Sequence, residues 1–360
     1  MRTWIAGAVL GTCIGLSLIG PSALAASEST LYDVGYHEHS IKVDEYYAPP
    51  GAVIQVGLNY REWYSPNATD VLVYVSGMQS HSQWFNDAAD EFAARGFNVY
   101  ALDRRGSGLS HGKRGHVRTP FQWVADLAQF IGFVKAKNPG KRVHLMGNSF
   151  GARIVMTYAE SFPTTIDTLI LETPATAMRV SLTPQTMVEI QSYVWKYYPT
   201  PLHDELFTDQ VNYLDFMAQD DLAIRNITAN IYKMGELINV GNLMARGLAQ
   251  LTMPVLMLVS NDDPIVDTPA VVATIYDRLN TSKKLVRYDG VRHFLLFEPV
   301  HAQVIEEISA WMNGATTTSA AKRAAAAVAP SDAVEEDGSD WILSLRTEAE
   351  QMGWSPLLNQ

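Results

Sequence analysis

Residues 142–162 read RVHLMGNSFGARIVMTYAESF, and this stretch decides the fold. Its first five residues form a short apolar run of the kind that makes a buried strand, and from Ala152 onward apolar side chains recur at helical spacing. Between the two stands Gly147-Asn148-Ser149-Phe150-Gly151. A strand that passes directly into a helix needs a sharp turn. Glycines two residues before and two residues after the apex give that turn room. The serine hydroxyl is then held out at the end of a sheet, over a helix N-terminus. Ser149 is therefore the expected nucleophile.

Working outward, similar apolar runs lie at 71–76 (VLVYVS), 97–103 (FNVYALD), 168–171 (TLIL) and 254–260 (PVLMLVS), with a shorter one at 284–288 (KLVRY). Continuous apolar runs without alternation belong to strands covered on both faces, as in a parallel sheet. Stretches of helical period fall between them, at 84–95, 121–137, 153–162, 269–279 and 300–312. This alternation predicts a doubly wound α/β sheet, with one antiparallel hairpin expected at 48–64. Residues 175–250 break the pattern. No strand is evident there, and Met178, Met187, Tyr193, Trp195, Tyr197, Phe207, Phe216 and Met234 are among its many methionines and aromatics. An insertion of this length predicts a helical cap. Its apolar residues form the cap's own core or line a cleft for an apolar chain.

The 360 residues carry 27 Lys and Arg against 38 Asp and Glu, a net charge of −11, which argues against nucleic acid as a partner. The single cysteine, Cys13, rules out a disulfide framework and a cysteine-based metal site. Arg2, the apolar run 4–20 and Ala23-Leu24-Ala25 form a signal-peptide pattern with cleavage expected after Ala25. The chain is thus expected to be exported, to a periplasm or beyond the cell. The expected organisation is a leader at 1–25, a catalytic domain at 26–313 containing the cap, and a low-complexity linker and tail at 314–360.

A serine hydroxyl is a weak nucleophile until a base takes its proton and an acid orients that base. His293 lies in a loop after the last strand and is the expected base, while His301 falls within the final helix. Asp262, Asp263 and Asp267 all follow the strand 254–260. Asp263, fixed by Pro264, is the first choice of acid and Asp262 the second, whereas Asp267 reads as a helix cap. The developing oxyanion needs two donors. The N–H of Phe150 comes with the turn, and that of Met78 follows the turn glycine Gly77.

These segments resemble the α/β-hydrolase superfamily, and within it the monoacylglycerol lipase, lysophospholipase and serine-aminopeptidase-like branch. SGMQSHSQWF is similar to that branch's oxyanion loop, ALDRRGSGLSHGKRGHV to its arginine-glycine segment, GNSFGA to its nucleophile turn, and SNDDPIVD and GVRHFLLFE to its acid and histidine segments. The resemblance implies an α/β-hydrolase fold with Ser149, Asp263 and His293 as triad, Met78 and Phe150 as oxyanion donors, and neither metal nor cofactor. It implies a small-molecule or lipid ester as substrate, such as a monoacylglycerol or lysophospholipid, with transient membrane contact through the cap. In one departure, Ser76 stands where the branch has histidine before Gly77, so altered anchoring of that loop is expected. A peptidase or amidase on the same machinery is the alternative, with Glu189, Asp204, Asp215, Asp220 or Asp221 as an anchor for a substrate amine. A non-catalytic binding protein is a second alternative.

Overall fold

The computed structural model describes residues 36–45 and 54–314. The leader expected at 1–25 and all but Gly314 of the expected linker and tail lie outside the described residues. One sheet carries eight strands: β1 (His37–Asp44), β2 (Gln55–Trp63), β3 (Asp70–Val75), β4 (Phe97–Leu102), β5 (Arg142–Asn148), β6 (Thr168–Glu172), β9 (Val255–Ser260) and β10 (Lys283–Tyr288). Two short strands, β7 (Tyr197–Pro199) and β8 (Asn226–Thr228), pair separately. In the large sheet the order is β1-β2-β4-β3-β5-β6-β9-β10. Every pair from β4 to β10 is parallel, and the pairs β1–β2 and β2–β4 are antiparallel.

The burial follows from composition. All residues of β3, β4 and β9 are buried, as expected of apolar runs covered on both faces by helices. The helices are α1 (Asn86–Ala94), α2 (Pro120–Lys137), α3 (Phe150–Ser161), α4 (Pro184–Ser192), α5 (Val211–Ala218), α6 (Ala229–Leu243), α7 (Ala245–Gln250), α8 (Thr268–Thr274) and α9 (His301–Gly314). In α2, Val124, Leu127, Ile131 and Val134 recur at three- and four-residue steps and are buried. Pro120 stands in its first turn, where a missing N–H costs nothing.

Two expectations are corrected. The hairpin is antiparallel, but its first strand lies earlier than 48–64, at His37–Asp44. The sequence HEHSIKVD hides it, because an edge strand exposes most of its side chains and here only Val43 is buried. Within 175–250 the chain is helical as expected, except for the β7–β8 ladder, whose three-residue strands are too short to leave a periodic signal.

The topology fixes where chemistry can occur. The chain runs from β3 outward to β4, then returns past β3 to β5 on its other side. The switch point therefore lies at the carboxyl end of β3 and β5, the usual ligand position in such sheets.

Candidate active site

Ser149 stands between β5 and α3 with φ 52° and ψ −116°, a conformation rarely held by a residue with a Cβ. Its N–H donates to Glu172 O at 2.9 Å, and its carbonyl accepts from Ala152 and Ala175, both at 3.1 Å. The end of the neighbouring β6 is strained as well, since Thr173 has φ 41°. Such strain costs of order 1–3 kcal/mol and persists only where the surroundings dictate it. Here the surroundings are tight. A Cβ on Gly147 would lie 2.8 Å from Ala152 Cα, and one on Gly151 would collide with the carbonyl oxygens of Val75 and Ser76. Both glycines are required by close approach of backbone to backbone.

The expected base and acid meet. His293 Nδ1 lies 2.7 Å from Asp263 Oδ2, and both residues are buried. Asp263 Oδ1 accepts the N–H groups of Ile265 and Val266 at 2.8 and 2.9 Å, which fixes the carboxyl in place. With Nδ1–H donating to the acid, Nε2 is the acceptor of a neutral imidazole. That atom is buried and has no hydrogen-bond partner. Asp262 is exposed and accepts from Gly290 N instead. Asp267 caps α8 through Ala270 N, and His301 binds Leu296 O and Glu91. Asp263 and His293 follow β9 and β10, so they stand at the same end of the parallel sheet as Ser149, which follows β5.

The loop after β3 closes on the serine. A Cβ on Gly77 would lie 3.3 Å from Ser149 Cβ and 3.0 Å from Asn148 Oδ1. Ser76 is buried and donates to Ser80 O at 3.0 Å. Arg104 donates from Nη2 to Gly77 O at 2.5 Å and to Met78 O at 3.1 Å. Ser76 and Arg104 thus anchor this loop. Phe150 opens α3, so its N–H has no acceptor within the helix.

The cap touches this ground at several points. A Cβ on Gly235 of α6 would sit 3.0 Å from Phe150 Cε2. The Phe207 ring packs edge-on against His293 at 5.9 Å. His81 and Trp84, in the segment after β3, both donate to the Asp220 carboxylate, at 3.0 and 2.7 Å. Gln83 N–H approaches His81 Nδ1 at 3.4 Å, which leaves Nε2 as the protonated nitrogen facing Asp220. Burial alone would push Asp220 up, but the hydrogen bonds from His81, Trp84 and Leu222 N–H prevail and hold it below the usual carboxylate range.

Reasoning from sequence missed these roles of Arg104 and Asp220. It also missed Glu172, whose carboxyl lies inside the protein against Asn148 and the N–H groups of Leu296 and Leu295. Arg104 stood within a quoted segment but carried no signal of its contacts, which join residues 26 and 27 positions apart. Among the acids considered as amine anchors, Asp220 is committed to His81, Asp204 to Arg225 and Glu189 to Lys196, while Asp215 and Asp221 are exposed. Among the described residues no group of three or more His, Cys, Asp or Glu is placed to hold a metal ion, and no helix is long and apolar enough to cross a membrane.

Comparison with known proteins gives the family. Residues 66–300 match the serine aminopeptidase (S33) family. Monoacylglycerol lipase of Mycolicibacterium smegmatis is 27% identical over 248 residues, covering 67% of this chain and 87% of that one. Human monoglyceride lipase is 25% identical over 267 residues, covering 72% and 87%. Among solved structures, Paleococcus ferrophilus monoacylglycerol lipase superposes with a TM-score of 0.63 at 21% identity, covering 72% of this chain and 99% of that one. A Saccharomyces cerevisiae monoglyceride lipase bound to a substrate analog gives a TM-score of 0.64 at 18% identity, covering 72% and 92%. The eight-stranded sheet with its helical insertion is the α/β-hydrolase fold, and the chain belongs to the serine aminopeptidase (S33) family of α/β-hydrolases, in its monoacylglycerol lipase- and lysophospholipase-like branch.

Proposed function

We propose that the protein is a serine hydrolase that cleaves a carboxylic ester bearing an acyl chain, of the monoacylglycerol or lysophospholipid type, through an acyl-enzyme. The observation that carries this reading is the buried Asp263–His293 pair, 2.7 Å apart, with Nε2 of His293 left without a partner at the sheet end where Ser149 is held in a strained turn. Ser149 Oγ attacks the ester carbonyl carbon and His293 Nε2 takes its proton. The carbonyl oxygen becomes an oxyanion that accepts the N–H groups of Met78 and Phe150. Collapse of the intermediate expels the alcohol, which takes the proton from His293 and leaves the acyl group on Ser149. A water then gives a proton to His293 and attacks the acyl carbon, and collapse of this second intermediate breaks the bond to Ser149 Oγ, which takes the proton back from His293 as the acid leaves. Asp263 holds the imidazole in the required tautomer throughout.

The surroundings favour an apolar acyl chain. Trp84 contacts Phe207, Phe294 and Phe297 at ring-centroid distances of 5.6 to 5.7 Å, and Phe207 continues this aromatic cluster to His293. The names of the relatives point to the same substrates. An amide-cleaving aminopeptidase would need an acid reserved for the substrate amine, and the cap's buried acid is already committed to His81.

The test compares the wild type with Ser149→Ala on p-nitrophenyl esters from acetyl to palmitoyl, on monoolein and on an aminoacyl anilide. Turnover is expected to peak at a medium or long acyl chain and to fall at least 10³-fold in Ser149→Ala. Undiminished esterase activity in that variant would overturn the mechanism. Cleavage of the anilide alone would replace the ester reading with the peptidase one.

A further inference from the structure

We infer that Arg104 is a positioning residue that sets the direction of the oxyanion donors, in place of the histidine that the branch carries before Gly77. The inference rests on the serine-hydrolase reading given above.

The carbonyl of Gly77 and the N–H of Met78 belong to one trans peptide unit, so they point in opposite directions. The Arg104 guanidinium holds Gly77 O and also Met78 O, the next carbonyl along. With both carbonyls turned toward one cation, the N–H groups of Met78 and Gln79 face away from it. The same loop passes so close to Ser149 that a Cβ on Gly77 would lie 3.3 Å from Ser149 Cβ. Two further carbonyls of the loop are occupied as well. Gln79 O accepts from Ile224 N at 3.0 Å, and Ser80 O accepts from Ser76 at 3.0 Å and Ser107 at 3.3 Å. The loop therefore turns its acceptors inward and is left with donors for a substrate oxygen.

Arg104 reaches the second half of the site too. Its guanidinium lies 5.5 Å from the centroid of the Phe150 ring, which also has the Arg153 guanidinium at 5.8 Å and the Trp123 ring at 5.2 Å. Phe150 N–H is the other proposed donor, so one buried cation bears on both donor residues. Arg104 is itself well anchored. The carboxylate of the preceding Asp103 accepts the N–H groups of Ser82 at 2.7 Å and Leu109 at 2.9 Å, which binds the start of the arginine loop to the end of the oxyanion loop. The arrangement carries a cost, because Arg104 Nε is buried without a partner. A buried unpaired donor calls for an explanation, and the hold of Nη2 on two successive carbonyls supplies one.

The role separates from a merely structural one through its kinetic signature. A flipped or loosened Met78 peptide affects the tetrahedral state and leaves ground-state binding alone. Arg104→Met keeps the stem and removes the donors. It is expected to lower kcat on a p-nitrophenyl ester about 10²-fold with KM within threefold of wild type, the usual effect of losing one oxyanion donor. Affinity for an alkyl trifluoromethyl ketone, which forms an oxyanion on Ser149, is expected to fall by about the same factor. Ethylguanidinium added to Arg104→Ala is expected to restore part of kcat. Folded Arg104→Met with kcat and ketone affinity within fivefold of wild type would overturn the inference, as would equal losses in KM and kcat. If Arg104→Met does not fold, Arg104→Lys decides. Its ammonium nitrogen stands one bond short of Nη2, the atom that serves both carbonyls, so at least a tenfold loss in kcat is expected and a loss under threefold overturns the inference. Ser149→Ala measured alongside keeps the two readings apart. An active Ser149→Ala refutes the serine mechanism itself, whereas an inactive Ser149→Ala with a fully active Arg104→Met refutes only the role of Arg104.

Discussion

Glu172 ends β6 with its backbone serving the site and its side chain inside the protein. Its carbonyl takes the Ser149 N–H, and its carboxyl is buried near Asn148 of the turn and the N–H groups of Leu296 and Leu295, just past His293, with neither oxygen in a hydrogen bond. Burial pushes this carboxyl up to about 8 from an ordinary 4.5, and the facing donors only partly oppose the rise. The folded protein therefore keeps a proton that the unfolded chain releases above pH 4.5. Stability contributed at this position falls as pH rises from 4.5 to 8. Glu172→Gln carries no such proton, so its unfolding free energy should gain on the wild type by about 1.4 kcal/mol per pH unit across that window. Urea melts of both proteins at pH 5, 6, 7 and 8 check this, and a pH-independent difference would show that Glu172 is ionised in the folded state. The sequence could not have assigned this role. In TLILE the glutamate reads as the polar end of a strand, and only the packing of the His293 loop over it makes it buried. Ser149, His293 and the nearby acids were legible for the opposite reason, because each stands at a strand end that the local pattern alone locates.

At the scale of elements, the segment after β3 and the cap are joined by a polar latch. His81 and Trp84 donate to Asp220, Leu222 N–H donates to the same carboxylate at 2.9 Å, and Gln79 donates to Leu202 O at 3.0 Å. Asp220 is only 4% exposed and His81 1% as side chains, so removing either partner leaves a buried polar group unpaired. Asp220→Asn and His81→Ala should each destabilise by roughly 1–3 kcal/mol. In a double-mutant cycle their effects should fall short of additivity by about 1 kcal/mol or more, because the second substitution removes a group that the first has already orphaned. Simple additivity in denaturant unfolding would show that the two side chains do not act as a unit. The contribution of Asp220 belongs to pH values above the ordinary aspartate range and fades only as pH falls through its depressed value. The cap was legible from sequence as a break in the strand–helix alternation. The latch was not, because its members lie 136 and 139 positions apart. Neither was the β7–β8 ladder, since three residues are too few to show a period.

For the molecule as a whole, the strand–helix alternation predicted the doubly wound sheet, because strands such as β3 and β9 are covered on both faces and write that burial into composition. Strand order was less legible, since it depends on crossovers and not on any residue's neighbours. The exposed edge β1 was misplaced because an edge strand buries little. The last helix tests how far the fold depends on its final element. α9 buries Val304, Ile305, Ile308 and Met312. Each buried aliphatic side chain contributes roughly 1.5–3 kcal/mol, so the four together are comparable with a domain's whole net stability of about 5–15 kcal/mol. A chain ended at residue 300 should therefore fail to fold. A chain ended after Gly314 keeps every residue assigned to the site, from Met78 to His293, and the whole of α9. Its kcat/KM on a p-nitrophenyl ester should lie within about twofold of the full chain. Thermal melts and ester assays on the two truncations and the full chain decide the matter. A tenfold loss on removing only 315–360 would mean that the ester site is not complete within the sheet and its cap, and a folded chain ending at 300 would mean that α9 is an accessory to the core and not part of it.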